Sequence, residues 1–307
     1  MTKKLLSALI AVLFITPIAT NASAAEQVAP TLVIMDTALD STLPVFKDKI
    51  AYEVCMLDWP SCSNGKEFNE GPGAASLPVN LYSKNGFDHG TQMASIAVEA
   101  NPNMKIVFIR IIGNTPDGRR QITSEKTVYN ALNWVIANKT KFNIQAVAMA
   151  QGRHDFRTYV DYCFKTPITQ NSIKTLISLG VPTFLAAGNN RDLLRIDWPS
   201  CIQESIAIGA TDQYDEIASY SNYDKNLIDF YALGITSAWK PGGVKSNVAG
   251  TSASTQIAAA QWIAIKQAKP NLSYQELYDL IAKTSKTTNS AKVFGGKLIN
   301  LQGAING

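Results

Sequence analysis

An α/β fold, a mostly parallel β-sheet with helices on both faces, is predicted by three features of this chain. It is 307 residues long with 46% hydrophobic and 17% charged side chains, which supplies a large core and argues against disorder. Its strand-like runs, such as "TLVIMD" (31–36) and "KIVFIRIIG" (105–113), are continuously apolar rather than alternating, as strands covered on two faces must be. Helical periodicities separate those runs, the order that joins parallel strands.

The elements follow in turn. The first strand, 31–36, ends in Asp36. Residues 53–88, rich in Pro, Gly, Asn and Ser, read as a long irregular insertion. After the strand at 105–113, "TSEKTVYNALNWVIANK" (123–139) sets Val128, Leu132, Val135 and Ile136 at helical spacing. A strand "IQAVAMA" (144–150) precedes a helix around Ile173, Leu176 and Ile177 that Gly180 closes, and "PTFLAAG" (182–188) is the next strand. Shorter runs at 204–210 and 227–234 lead to a helix that starts at Ser252 and meets no breaker before Pro270. The last helix opens on Ser273 and Glu276, a capping box, and continues through Leu277, Leu280 and Ile281. No repeat, low-complexity tract or linker divides residues 25–307, so one domain is expected.

The amino end has its own pattern. Lys3 and Lys4, the apolar run 5–19 and "ASA" at 22–24 form the layout of a secretory signal peptide cleaved after Ala24. The run is short for a membrane span, and a soluble mature chain with no membrane association is expected. Cleavage removes two lysines and lowers the formal charge from +4 to +2. No run of lysine and arginine occurs, and Arg119 and Arg120 form only a pair in a polar loop, so no nucleic-acid partner is expected. In an exported chain the four cysteines are expected to be oxidised, with Cys55 paired to Cys62, close in sequence within a polar loop, and Cys163 to Cys201. Metal binding by these cysteines is the weaker alternative, since no C-x-x-C spacing occurs.

Function in open parallel sheets collects outside the carboxyl ends of the strands. Asp36 ends one strand, Asn189 follows another, and Ser252 opens a helix. A serine hydroxyl needs a base to accept its proton and an acid to hold that base. The chain has two histidines, His89 in "DHGTQMA" and His154 in "GRHDF". His154 reads as a solvated loop residue beside Asp155, which leaves His89 as the candidate base.

Together these pieces resemble the subtilisin family of serine proteases: "VIMDTALD" around Asp36, "DHGTQMA" around His89, "FLAAGNN" around Asn189 and "GTSAS" around Ser252, in the order Asp, His, Ser. "IRIIG" (109–113), "AMAQG" (148–152) and "SIAIGATD" (205–212) extend the likeness over residues 31–268. The resemblance implies a three-layer α/β/α fold and a secreted endopeptidase, extracellular or periplasmic. In it Ser252 is the nucleophile, His89 the general base and acid, Asp36 the orienting acid, and the Asn189 side chain with the Ser252 N–H the oxyanion hole. It further implies an extended peptide substrate laid between edges at Ile111 to Gly113 and at Ala150, Gln151 and Gly152, with Ala187 and Gly188 walling the pocket for the side chain before the cut.

Departures from the pattern accompany it. Ala38 replaces a usual glycine, Ala253 to Gln256 replace "Met-Ala-x-Pro", and Gln151 stands where relatives carry an apolar residue. No propeptide is evident between Ala24 and Asp36, so an inhibitor or chaperone acting in trans is one expected partner besides protein or peptide substrates; a monomer is expected. No cofactor is required. Structural calcium is common in the family, but no D-x-D-x-D-G loop occurs and no metal ligand is assigned. The rival readings are a catalytically idle subtilisin-fold protein that binds peptides or a partner, and an esterase, which would need a G-x-S-x-G elbow that this serine lacks.

Overall fold

A computed structural model describes residues 29–84, 86–121, 123–154, 163 and 166–307. The expected signal peptide, residues 1–24, lies outside them, as does Asp155.

The strands are β1 (Thr31–Asp36), β2 (Ile50–Met56), β3 (Phe68–Glu70), β4 (Lys105–Arg110), β5 (Ile144–Met149), β6 (Thr183–Ala186), β7 (Ile206–Thr211), β8 (Ile228–Leu233), β9 (Ile235–Lys240), β10 (Val244–Ala249), β11 (Lys286–Thr288) and β12 (Gly296–Leu298). Ten of them form one sheet in the order β11-β12-β8-β7-β6-β5-β1-β4-β2-β3. The eight from β12 to β2 run parallel, and β11 and β3 close the edges antiparallel. β1 is buried along its whole length, and its alternate residues serve two cores: Leu32 and Ile34 on one face, Val33 and Met35 on the other. That division is why its sequence is apolar at successive positions.

The helices are α1 (Val79–Tyr82), α2 (His89–Ala100), α3 (Glu125–Asn138), α4 (Pro167–Ser178), α5 (Thr251–Ala268), α6 (Tyr274–Thr284) and α7 (Leu301–Asn306). Ala94 and Ala97 of α2 and Ala258 and Ala259 of α5 pack on one face of the sheet; Val128 and Leu132 of α3 and Ile173 and Leu176 of α4 pack on the other. The three-layer expectation therefore holds. Local signals act as read. Ser124 caps α3 by accepting from Thr127 N, Gly180 takes φ +75° just beyond α4, and Ser273 and Glu276 form both halves of the capping box of α6.

Residues 53–88 are less irregular than their composition suggests. Val54 and Cys55 are buried in β2, which pairs parallel to β4, and β3 folds back on it. The polar residue that masks this strand, Glu53, is itself structural: its carboxylate accepts from Gly73 N and Ala75 N and so fastens the following loop. The hairpin of β9 and β10, turned by Gly242 and Gly243 at φ +84° and +83°, stands apart from the main sheet and had no sequence signal. Cys55 is bonded to Cys62 and Cys163 to Cys201. Among the described residues no helix is long and apolar enough to cross a membrane.

The order of strands fixes where a site can open. The chain leaves β1 to one side for β2 and β4 and then continues on the other side with β5 to β8. The winding reverses at β1, so the crevice of this sheet lies at its carboxyl end, beside Asp36.

Candidate active site

Asp36 is the last residue of β1 and has no exposed surface. Its Oδ1 accepts from Thr37 N at 2.6 Å, from Gln151 Nε2 at 3.0 Å, and faces His89 Nδ1 at 2.8 Å. Burial pushes its carboxyl up, but the charge and hydrogen bond of His89, the Thr37 N–H and the charge of Arg120 outweigh that cost and hold it below the usual carboxylate value. Asp36 is thus an ion kept in the core by its partners, and it orients the imidazole so that Nδ1 faces the acid and Nε2 lies on the opposite, open edge.

His89 begins α2, and the chain must bring this helix mouth very close to β1. A Cβ at Gly90 would fall 2.4 Å from the Ala38 carbonyl oxygen and 2.7 Å from Phe108, so only glycine fits. The helix has no cap of its own; Gly90 N instead donates to Thr37 Oγ1 at 2.8 Å, and Thr37 Oγ1 donates to Phe87 O. Thr37 therefore ties both neighbours of the acid and base, a role without a sequence signal beyond its place after Asp36.

The mouth of α5 is built on the same logic. Thr251 N donates to Asn189 Oδ1 at 2.9 Å and Thr251 Oγ1 to the same oxygen at 3.1 Å, while Gly188 N donates to Thr251 Oγ1. Asn189 thereby caps the helix with its oxygen and turns Nδ2 outward. The adjacent N–H, that of Ser252, has no partner among the described residues and sits at the positive end of an 18-residue helix. Met93, one turn beyond His89, and Ala253, next to Ser252, share one apolar cluster, so the mouths of α2 and α5 open side by side. No hydrogen bond joins Ser252 to His89 among the described residues; such contacts commonly close only around bound substrate. Ala253, Ser254, Thr255 and Gln256, the unusual residues after the serine, are all buried, and Thr255 Oγ1 donates to Thr251 O within the first turn.

The edge expected at Ile111 to Gly113 is not open. Ile111 and Gly113 are buried; Ile111 N donates to Asp36 O, and Gly113 O accepts from Gln121 N as the 114–121 loop folds back. Arg110 completes the closure. Its fully buried guanidinium donates to the carbonyls of Ser61, Ser76 and Ile112 and to Asn114 Oδ1, and burial lowers its pKa to about 10. Of the second edge, Ala150 is half-buried and Gly152 is exposed, while the Gln151 side chain turns inward. Arg120 donates to Gln151 Oε1, which fixes the amide so that Nε2 points at Asp36. A residue expected to line the substrate is thus also a direct partner of the buried acid.

Ala187 and Gly188 lie beneath Asn189. Ala187 O accepts from Asp197 N and Asn222 Nδ2, and Gly188 adopts φ +103°. His154 is not the solvated loop residue expected: its Nδ1 is 2.7 Å from Asp197 Oδ1 and its Nε2 is 3.5 Å from Asp192 Oδ2. It has its own acids, and among the described residues no contact joins it to Asp36. No group of three or more His, Cys, Asp or Glu able to hold a metal ion occurs among the described residues.

Comparison with known proteins gives the family and the fold. The model of the subtilase family matches residues 29–304. Subtilisin BL of Lederbergia lenta is 25% identical over 262 residues, covering 82% of this chain and 90% of that one. An alkaline protease of Alkalihalobacillus alcalophilus is 24% identical, with 82% of this chain and 63% of that protein's length covered. Among solved structures, a protease of Pseudoalteromonas arctica superposes with a TM-score of 0.70 at 20% identity over 91% of each chain. The nisin leader peptidase NisP of Lactococcus lactis superposes with a TM-score of 0.67 at 16% identity, over 91% of this chain and 87% of that one.

Proposed function

The chain belongs to the subtilase family of serine endopeptidases, and on that premise we propose that it is a secreted enzyme that cuts peptide bonds through Asp36, His89 and Ser252. One observation carries the assignment of residues. The buried Asp36 holds His89 at 2.8 Å beside a helix mouth that Asn189 caps with its oxygen, leaving an amide donor and the Ser252 N–H facing the same opening.

In this mechanism Ser252 Oγ attacks the scissile carbonyl carbon and its proton passes to His89 Nε2. The carbonyl oxygen becomes an oxyanion held by Asn189 Nδ2 and the Ser252 N–H, both fixed before substrate arrives. The imidazolium, stabilised by Asp36, gives its proton to the leaving amine as the C–N bond breaks, and an acyl-enzyme remains on Ser252. Water then attacks that ester with His89 again as base; the acid is released and the hydroxyl restored. The chemistry uses side chains and backbone alone, with no cofactor.

The charged start, apolar run and "ASA" of residues 1–24 support export, with the mature chain acting as a monomer outside the cytoplasm, extracellular or periplasmic. Protein or peptide substrates are the partners, with an inhibitor or chaperone in trans as a further one.

The test is incubation of the purified mature chain with an unfolded protein and a peptide library, read by mass spectrometry. New peptide termini that are absent with Ser252→Ala are expected. Peptide binding without turnover by folded protein would favour the idle binding protein, and ester hydrolysis without peptide cleavage would favour the esterase.

A further inference from the structure

The space between the two glycines of the substrate cleft is occupied in a way the triad does not explain. A Cβ built on Gly188 would fall 2.4 Å from Asp197 Cγ and 2.5 Å from its Oδ1; one built on Gly152 would fall 3.4 Å from Asp197 Cβ and 2.6 Å from Trp198 O. Asp197 therefore stands between these two residues, and glycine on each side makes room for it. Its backbone is fixed there, with Asp197 N donating to Ala187 O and Arg153 and Trp198 exchanging both backbone hydrogen bonds.

We propose that Asp197 is the floor of the pocket for the side chain preceding the cut, and that it selects a cationic residue, lysine or arginine, at that position. The proposal rests on the peptidase reading above and names its substrate class. Oδ1 of Asp197 faces His154 Nδ1 at 2.7 Å and accepts from Asn222 Nδ2 at 2.9 Å, while no hydrogen bond engages Oδ2 among the described residues. The side chain keeps 15% of its surface exposed. Asn222 in turn accepts from Asn190 N and Asp192 N, so the floor is built and not a surface accident.

Charge decides what this floor accepts. His154 lies between Asp197 and Asp192, with Nδ1 toward the first and Nε2 toward the second, so one imidazole is shared by two carboxylates. Arg153 is turned onto the Trp198 ring, 5.7 Å from its centroid. Burial raises the Asp197 carboxyl above its ordinary value, with His154 and Asn222 drawing it back. An apolar side chain entering the pocket would strip water from Oδ2 and offer nothing in return, whereas an ammonium or guanidinium replaces that water with a charge-assisted hydrogen bond.

The test is a set of peptides differing only in the residue before the cut: arginine, lysine, leucine, phenylalanine and glutamate. Full mature enzyme should cut after arginine or lysine about 10²-fold more efficiently, in kcat/KM, than after leucine or phenylalanine, the scale of losing one partner of a desolvated charge pair. Asp197→Asn should collapse that ratio, and thermal unfolding of the variant reports whether it folds. The uncleaved peptides, titrated into the Ser252→Ala chain, read the pocket without chemistry and should show the same order of affinity. An apolar preference in wild type, or an order of binding in the Ser252→Ala chain that ignores charge, overturns the proposal. Charge-ordered binding by that variant together with an inert wild type would retain the pocket and remove the peptidase reading instead.

Discussion

Two histidine–aspartate pairs stand in this cleft, and they are inverted with respect to solvent. In the first, Asp36 has no exposed side-chain surface and His89 keeps 25%; in the second, His154 keeps 7% and Asp197 15%. The distances are nearly equal, 2.8 and 2.7 Å. What differs is which member meets the outside. A buried acid behind an open imidazole suits a base that exchanges protons with substrate, whereas a buried imidazole behind a more open acid leaves the carboxylate to meet a ligand. On the reading proposed above, the same two residue types serve as catalyst in one place and as recognition element in the other, and burial separates the roles.

The strongest way to break that contrast is to neutralise the buried acid. Asp36→Asn should lower kcat by about 10⁴-fold, the scale found when other Ser-His-Asp triads lose this acid, because His89 loses both its orientation and the charge that stabilises its imidazolium. The measurement is steady-state kinetics on one peptide; a loss of under ten-fold would mean that Asp36 is not the orienting acid.

A smaller effect is expected across the cleft. Asn189→Ala should cost about 10²- to 10³-fold in kcat with KM nearly unchanged, because the amide meets the oxyanion only in the transition state. Thr251→Val removes one donor to Asn189 Oδ1 while the backbone donor stays, and about ten-fold is expected, again in kcat. A change confined to KM in either variant would place Asn189 in ground-state binding.

Asp229 sharpens the comparison from outside the cleft, as a half-buried acid with no imidazole. Its carboxyl accepts from Tyr278 OH at 2.6 Å and Ala207 N at 2.8 Å, and burial raises its pKa from 3.8 to about 6. The folded state prefers the neutral form, so this contribution to stability is complete below pH 3.8 and is lost as pH rises through about 6. Asp36, held low, contributes with the opposite sign, and its share is lost only in acid. Denaturant unfolding of wild type and Asp229→Asn from pH 4 to 8 should show the difference moving in favour of the variant by about 2–3 kcal/mol. A pH-independent difference would contradict the burial account.

Much of this was legible in the chain because the signals were local. The strand ending in Asp36, the small residues after His89 and the breaker-free helix after Ser252 each state their element and its end. β2 was hidden because Glu53, whose carboxylate serves the 73–75 loop, interrupts its apolar pattern. The open edge at 111–113 was misplaced because its closure comes from Gln121 and from the carbonyls gathered by Arg110, contacts that no window around "IIG" contains. Thr37, Thr251 and the inward turn of Gln151 were silent for the same reason: each acts on a partner brought near only by the crossing of β1, β5 and the two helix mouths. His154 was read from its charged surroundings in sequence, while its acids, Asp192 and Asp197, lie some forty residues on.

Treatment of the mature chain with a fluorophosphonate, followed by peptide mapping, tests the central claim most directly. Phosphonylation at Ser252 that disappears in His89→Ala, with the second histidine pair intact, is the predicted result. A folded chain that stays unlabelled, or labelling that persists without His89, would contradict it.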